Sequence, residues 1–170
     1  TFYIREMLKN YFVEIIPLFH RVFWEGRANM GFFYRNCFHC FRAGGTQCFS
    51  VNGENQQHAI FGGGPSFNVH PSDLAPALVA LNATFEVTGP GGPRRIAAAD
   101  FFVLPSQNPA RENVLGATEL LTGVRMPTPA AGVVSTYLKI TDREAWTHAE
   151  VSVAVVLHVD GDRIRTAGVV

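Results

Sequence analysis

Residues 58–87 read HAIFGGGPSFNVHPSDLAPALVALNATFEV, and this segment is the most informative part of the chain. It combines an apolar strand, a three-glycine turn, a second strand, a Ser/Asp helix cap and a helix rich in Ala and Leu. Such an arrangement leaves backbone N–H groups and one carboxylate facing a common crevice, which is how nucleotide cofactors are commonly held. Glycine runs mark ordinary tight turns more often than phosphate sites, so the glycines alone do not identify a ligand.

A helix start is predicted where the second strand ends. Pro71 cannot continue a strand ladder, Ser72 can cap a helix, and Leu74, Leu78 and Leu81 recur at helical spacing. Two roles for Asp73 stay open at this point. Its carboxylate either bonds the first free N–H groups of its own helix or contacts a ligand.

The rest of the chain reads as mixed helix and strand, so the predicted fold class is α+β. A helix is predicted over 4–24, an irregular Cys-rich loop over 31–56, strands over 57–61 and 66–69, and a helix over 72–81. Strands follow over 83–88 and 94–97, then a helical turn over 98–102 and a strand over 119–126. Alternating polar and apolar residues predict antiparallel strands over 133–140, 151–159 and 163–169, with a hairpin turn at Asp160-Gly161-Asp162. Residues 127–131, rich in Pro, Thr and Ala, are the candidate domain boundary.

Composition narrows the possible partners and compartments. Fourteen Lys and Arg balance fourteen Asp and Glu, so no net field favours nucleic acid or acidic lipid. The sequence holds no run of about 18 apolar residues, and its N-terminal segment lacks the pattern of a signal peptide. The expected location is therefore cytoplasmic, where disulfides are unusual.

Three cysteines fall within one short glycine-containing loop. Cys37 and Cys40 flank Phe38-His39, and Cys48 follows after Gly44-Gly45. Closely spaced thiols suit a chain that must wrap around an ion or cluster, and His39 or His58 could complete a zinc site. Three reduced thiols without a ligand role are the alternative.

Several segments resemble one family. They are GENQQHAIFGGGP at 53–65, HPSDLAPALVAL at 70–81, GPGG at 89–92, RRI at 94–96, DFF at 100–102, ENVL at 112–115, ELLTGVRMP at 119–127 and YLK at 137–139. Together and in this order they resemble the FAD-binding medium subunit of molybdenum hydroxylases, the xanthine dehydrogenase and carbon monoxide dehydrogenase family. The resemblance covers roughly residues 29–170.

The resemblance implies a domain organisation. Residues 1–28 form a divergent N-terminal helix, and 29–127 form the second FAD-binding subdomain, a mixed sheet with flanking helices and the Cys-rich insertion 31–56. Residues 133–170 begin the C-terminal antiparallel-sheet domain, which is truncated. The chain is therefore expected to be an internal fragment without the upstream glycine-rich loop that holds the flavin pyrophosphate in this family.

The resemblance also implies the cofactor-binding residues Asp73, Leu121, Lys139 and Ser72, with no catalytic residue. Asp73 falls where a carboxylate contacts the ribityl or ring side of the flavin, and Leu121 where an apolar residue lies against the isoalloxazine. Lys139 falls where a lysine approaches the polar edge of the ring, and a fixed positive charge there stabilises the anionic reduced flavin. Leu121 as a core strand residue and Lys139 as a solvated strand charge are the structural alternatives.

In a subset of the family an inserted loop carries a [4Fe–4S] cluster on four cysteines. Here Cys37, Cys40 and Cys48 match three of them, and Ser66 stands at the fourth position. The implied function is electron transfer from iron–sulfur centres to FAD and on to an acceptor, beside a large molybdopterin subunit and a small [2Fe–2S] subunit. This chain alone is expected to be inactive. The alternatives are a non-catalytic metal-binding or assembly module built on the three cysteines, or an inactive remnant.

Overall fold

The computed structural model describes residues 41, 45–53, 55, 58, 59, 61, 62, 64–67, 70, 72–144 and 149–170. The predicted helix 4–24, Cys37, Cys40 and much of the loop 31–56 lie outside these residues. The chain forms two compact units. The first contains the described residues of Pro71–Phe101 and Leu115–Val170, and the second those of Ile16–His70 and Phe102–Val114.

Among its described residues, the first unit contains one α-helix and six strands. They are α1 (Leu74–Ala80), β1 (Thr84–Gly89), β2 (Gly92–Ala97), β3 (Leu120–Arg125), β4 (Val133–Ile140), β5 (Val151–Asp160) and β6 (Arg163–Val169), with a 3₁₀ turn at Ala98–Asp100. The strands form two antiparallel sheets, β2-β1-β3 and β4-β5-β6. The combination of helix and antiparallel sheets confirms the predicted α+β class.

The predicted helix 72–81 is shorter at both ends. It begins at Leu74 because Ser72 and Asp73 precede the first helical turn, and it ends before Leu81. Asn82 then adopts a left-handed backbone with φ +53°, which a helix cannot continue through. The chain therefore enters β1 almost directly from α1.

One face of the sheet β2-β1-β3 is buried, in part by the segment that connects β2 to β3. Phe85 and Val87 on β1 and Ile96 on β2 are buried, and the ring of Phe101 lies 4.2 Å from that of Phe85. Alternation along β1 places Phe85 and Val87 on one face of the sheet and Glu86 on the other. Opposite Glu86 and Val87, strand β3 carries one extra residue, Thr122, and this bulge shifts the pairing of β1 with β3 by one residue.

Helix α1 packs closely on the sheet β4-β5-β6. Ala77 and Ala80 of the helix form one buried cluster with Tyr137 of β4 and Ala154 of β5. A Cβ at Gly168 of β6 would lie 3.1 Å from the carbonyl oxygen of Ala80. Small residues on both sides therefore let the helix approach the strands, and this places the residue before the helix, Asp73, beside β4.

Gly132 offers a sharp test of the turn that begins β4. Its φ is +80°, and an added Cβ would overlap the carbonyl oxygen of Val159, while its own carbonyl accepts the Val159 N–H. We expect Gly132→Ala to lower the free energy of unfolding by about 2–4 kcal/mol, measured by urea denaturation, because left-handed strain and steric overlap add. Gly161→Ala is the matched control, since φ is +57° there but nothing lies within 4 Å; it should cost only about 1–2 kcal/mol. Equal losses in the two variants would contradict the overlap.

The described residues of the second unit form a strand bridge, a ring contact and a backbone hydrogen bond. Phe102 and Asn113 form an isolated antiparallel bridge, and the rings of His70 and Phe102 lie 5.1 Å apart, edge to face. The Ala59 N–H donates to the Phe67 carbonyl, although the described residues of the predicted strands 57–61 and 66–69 are not in regular strands. Across the described part of the chain, no helix combines the length and apolar character needed to cross a bilayer.

Candidate functional site

The carboxylate of Asp73 lies between two side chains of β4. Its Oδ2 is 2.6 Å from the Lys139 ammonium nitrogen, and its Oδ1 accepts a hydrogen bond of 3.0 Å from the Tyr137 hydroxyl. The side chains of Asp73 and Lys139 are 5% and 11% exposed. Asp73 and Lys139 therefore form a buried ion pair, and a neutral donor bonds the second oxygen of the Asp73 carboxylate. Solvent screens the two charges far less here than it would at the surface.

Local sequence explains this arrangement. The Ser72 hydroxyl accepts the Ala75 N–H at 3.1 Å, which confirms Ser72 as the capping side chain. Asp73 makes no side-chain cap hydrogen bond, so the alternative in which it caps its own helix is wrong. With the cap supplied by Ser72, the Asp73 carboxylate is available to β4.

The structure excludes one of the two alternatives for Lys139, and its role at a flavin ring stays a prediction. A solvated strand charge is wrong, because the side chain is almost fully buried and ion-paired. Tyr137 and Lys139 are two residues apart on β4 and therefore point to the same face of the sheet. The sequence points to Asp73 and Lys139 as site residues but not to Tyr137, although its two-residue spacing from Lys139 on a predicted strand could have indicated it.

Leu121 lies on β3 and pairs with Val87 of β1. Its side chain is 38% exposed, so the alternative of a core strand residue is wrong. Among the strands that the structure describes, β3 lies at the edge of its sheet, which explains how an apolar side chain opposite buried Val87 keeps access to solvent. The role of Leu121 as an apolar contact for a flavin ring stays a prediction.

Of the three cysteines, only Cys48 lies within the described residues. Burial raises the pKa of its thiol, but hydrogen bonds from Ser50, Phe67 and Ser66 together outweigh burial and leave the pKa below its usual value. The Sγ of Cys48 is 2.9 Å from the Ser50 hydroxyl oxygen. Among the described residues, no group of three or more His, Cys, Asp or Glu side chains could hold a metal ion. The metal site on Cys37, Cys40 and Cys48 therefore stays a prediction.

A charged cluster on the sheet β2-β1-β3 was not anticipated from the sequence. Glu86 Oε1 accepts hydrogen bonds from Arg125 Nη2 at 2.9 Å and Nε at 3.2 Å, and Arg95 lies 3.4 Å away. The hydrogen bond and charge of Arg125, followed by the charge of Arg95, hold the pKa of Glu86 below its usual value. Direct pairing of Glu86 with Arg95 across β1 and β2 makes this a cross-strand ion pair.

The low pKa of Glu86 has a consequence for stability at acid pH. Because its folded-state pKa is depressed, the carboxylate contributes stability above its unfolded pKa, and this contribution is lost as pH falls through the folded value. Glu86→Gln should therefore flatten the decline of the urea midpoint between about pH 5 and pH 3. Arg125→Gln removes the main cause of the shift and should flatten it similarly. An unchanged slope in both variants would contradict the assignment.

Known proteins are similar to this chain over much of the same sequence. Residues 55–129 match the family described as FAD binding domain in molybdopterin dehydrogenase. The aldehyde oxidoreductase FAD-binding subunit PaoB of Escherichia coli (strain K12) is 37% identical over 131 residues, which are 75% of this chain and 41% of that protein. The carbon monoxide dehydrogenase medium chain of Afipia carboxidovorans is 35% identical over 108 residues, 63% of this chain and 35% of that one.

A solved structure gives the corresponding likeness in three dimensions. A chain of the crystal structure of the Cu,Mo-CO dehydrogenase, in its cyanide-inactivated form, has a TM-score of 0.51 and 33% sequence identity. The likeness covers 57% of this chain and 32% of that chain. This chain spans less than half the length of the curated relatives it matches.

Proposed function

Residues 55–129 of this chain belong to the family of FAD-binding domains in molybdopterin dehydrogenases, and from this membership we propose that the chain holds FAD within a molybdenum hydroxylase-type oxidoreductase. When bound, FAD supplies the redox chemistry, and the polypeptide supplies binding and electrostatics. By analogy with its relatives, the chain would work beside a large molybdopterin subunit and a small [2Fe–2S] subunit. It would receive electrons from iron–sulfur centres and pass them to an acceptor.

The buried pair Asp73–Lys139 is the observation that carries the proposal. A buried lysine paired with a carboxylate costs desolvation energy, so its presence beside a helix start needs a reason beyond stability. The pair provides a fixed positive charge and an acceptor carboxylate, both of which suit the polar groups of a flavin. Leu121 adds an exposed apolar side chain for the ring, and Ser72 stabilises the start of the helix that carries Asp73.

Each residue has a separate role in this proposal. Lys139 holds a positive charge toward the ring edge where negative charge develops on reduction. Asp73 keeps the lysine in place and presents its carboxylate toward the ribityl side, and Leu121 lies against the apolar face of the ring. None of these residues transfers a proton to a substrate, so no catalytic residue is proposed on this chain.

Flavin titration of the full chain tests the proposal. We expect FAD to bind with a stoichiometry of one, measured by quenching of flavin fluorescence, and Lys139→Met to weaken this binding. Arg163→Met is the matched control, since it removes an exposed charge on β6, and it should bind FAD as the unaltered chain does. Binding of zinc or iron without flavin would instead support the metal-binding module on Cys37, Cys40 and Cys48. Binding of neither would support an inactive remnant.

A further inference from the structure

Tyr137 has a contact that its position in the core does not require. Its side chain is 9% exposed, and its ring belongs to the buried cluster of Ala77, Ala80 and Ala154. A phenylalanine would satisfy that packing equally well. The hydroxyl nevertheless reaches the Asp73 carboxylate and donates to its Oδ1 at 3.0 Å.

The two oxygens of Asp73 are held by different donors. Tyr137 bonds Oδ1 and Lys139 bonds Oδ2. The torsion that turns a carboxylate about its Cβ–Cγ bond is broad, so a single donor leaves the plane of the group loosely defined. A second donor on the other oxygen fixes that plane, and with it the position of the ammonium group that bonds Oδ2.

The ring of Tyr137 is well suited to fix an orientation. Tyr137 pairs with Ala154 on the neighbouring strand β5, and the small side chains around the ring come from both the helix and the sheet. Packing of the ring therefore fixes the position of the hydroxyl independently of its hydrogen bond to Asp73. Lys139, by contrast, has a long flexible side chain that loses several rotatable bonds when it is held in one place.

We propose that Tyr137 is a positioning residue, which acts through Asp73 to hold the Lys139 ammonium in one place. The proposal deepens the flavin site and rests on the proposed function for its role toward the cofactor. The positioning itself is a property of this chain and is measurable without flavin. Precise binding sites commonly need a neutral hydrogen-bond donor that orients a charged group without itself contacting the ligand.

The experiment compares Tyr137→Phe with Thr136→Val in the full chain. Thr136 is the neighbouring residue on the opposite face of β4, so its variant removes a hydroxyl from the same strand without touching Asp73. The chain has only two lysines, Lys9 and Lys139. Acetylation by acetic anhydride, followed by mass spectrometry, therefore reports the accessibility of Lys139 with Lys9 as internal reference.

In the flavin-free chain, we expect Tyr137→Phe to raise acetylation of Lys139 relative to Lys9 by about threefold to tenfold, the range for loss of one hydrogen bond. Thr136→Val should leave the ratio unchanged. In the FAD-loaded chain, Tyr137→Phe should also alter the visible absorption bands of the flavin. An unchanged acetylation ratio in a folded Tyr137→Phe variant, judged by circular dichroism, overturns the positioning role.

The two readouts separate this inference from the proposed function. A raised acetylation ratio in a chain that binds no FAD would leave the positioning role standing and overturn the flavin site. An unchanged ratio in a chain that binds FAD would overturn the positioning role and leave the flavin site standing. A raised ratio together with unchanged flavin bands would restrict Tyr137 to the ion pair and overturn its role toward the cofactor.

Discussion

Replacing Asp73 by Asn is expected to lower the free energy of unfolding by about 3–5 kcal/mol, the range for breaking a buried ion pair by removal of one partner. Asn keeps nearly the same shape, so the loss is electrostatic. The Lys139 ammonium, 11% exposed, would lose the carboxylate at 2.6 Å that compensates its charge. Urea denaturation of the full chain at neutral pH, followed by circular dichroism, measures the change.

Two controls make this expectation specific. Asp160 forms an equally short contact with Arg165, at 2.6 Å, but both side chains are more than half exposed. Asp160→Asn should therefore cost no more than about 1 kcal/mol. The double variant Asp73→Asn with Lys139→Met removes both charges and should recover part of the loss. Similar losses for Asp73→Asn and Asp160→Asn would show that burial does not strengthen the interaction of Asp73.

Local patterns predicted most of the strands in the first unit. The alternation over 133–140, 151–159 and 163–169 anticipated β4, β5 and β6 to within a residue. A two-residue loop after Asp160, with Gly161 at φ +57°, joins the last two strands as expected for a short hairpin. These features depend on residues close in the sequence, which is why pattern alone sufficed.

Contacts between distant residues could not be derived in the same way. The pairing of Asp73 with Lys139 joins residues separated by 66 positions, and the resemblance indicated each residue without indicating that they touch. The cluster of Glu86, Arg95 and Arg125 depends on which strands neighbour β1. A bulge on β3 changes its register with β1, and no local signal in the sequence marks its position.

The local sequence pattern around helix α1 predicted a longer helix and a capping role for Asp73 that the structure does not show. A Ser-Asp cap before an Ala/Leu helix suggested that Asp73 served the helix end, yet Ser72 takes that role and the helix has only seven residues. Its position depends instead on small residues that allow close packing on β5 and β6. The location of Asp73 is therefore a result of tertiary packing, which periodicity does not report.

Replacing Lys139 by Met is expected to lower the reduction potential of bound FAD by roughly 30–60 mV. The expectation follows from the proposed flavin site, because a positive charge stabilises the anionic reduced form more than the oxidised form. One unit charge at about 6–10 Å, with an effective dielectric constant of about 20, contributes roughly 1.7–2.8 kcal/mol. For a two-electron couple about 1.4 kcal/mol corresponds to roughly 30 mV. The potential is measured by dye-linked redox titration at saturating FAD.

Lys139→Arg provides the control, since Arg keeps the charge but changes its shape and hydrogen bonding. If charge sets the potential, Lys139→Arg should shift it by less than half as much as Lys139→Met, even where FAD affinity falls in both. Equal shifts would mean that the shape of the side chain controls the potential. No shift in either variant would place the Asp73–Lys139 pair away from the flavin, and the pair would then serve only to join helix α1 to strand β4.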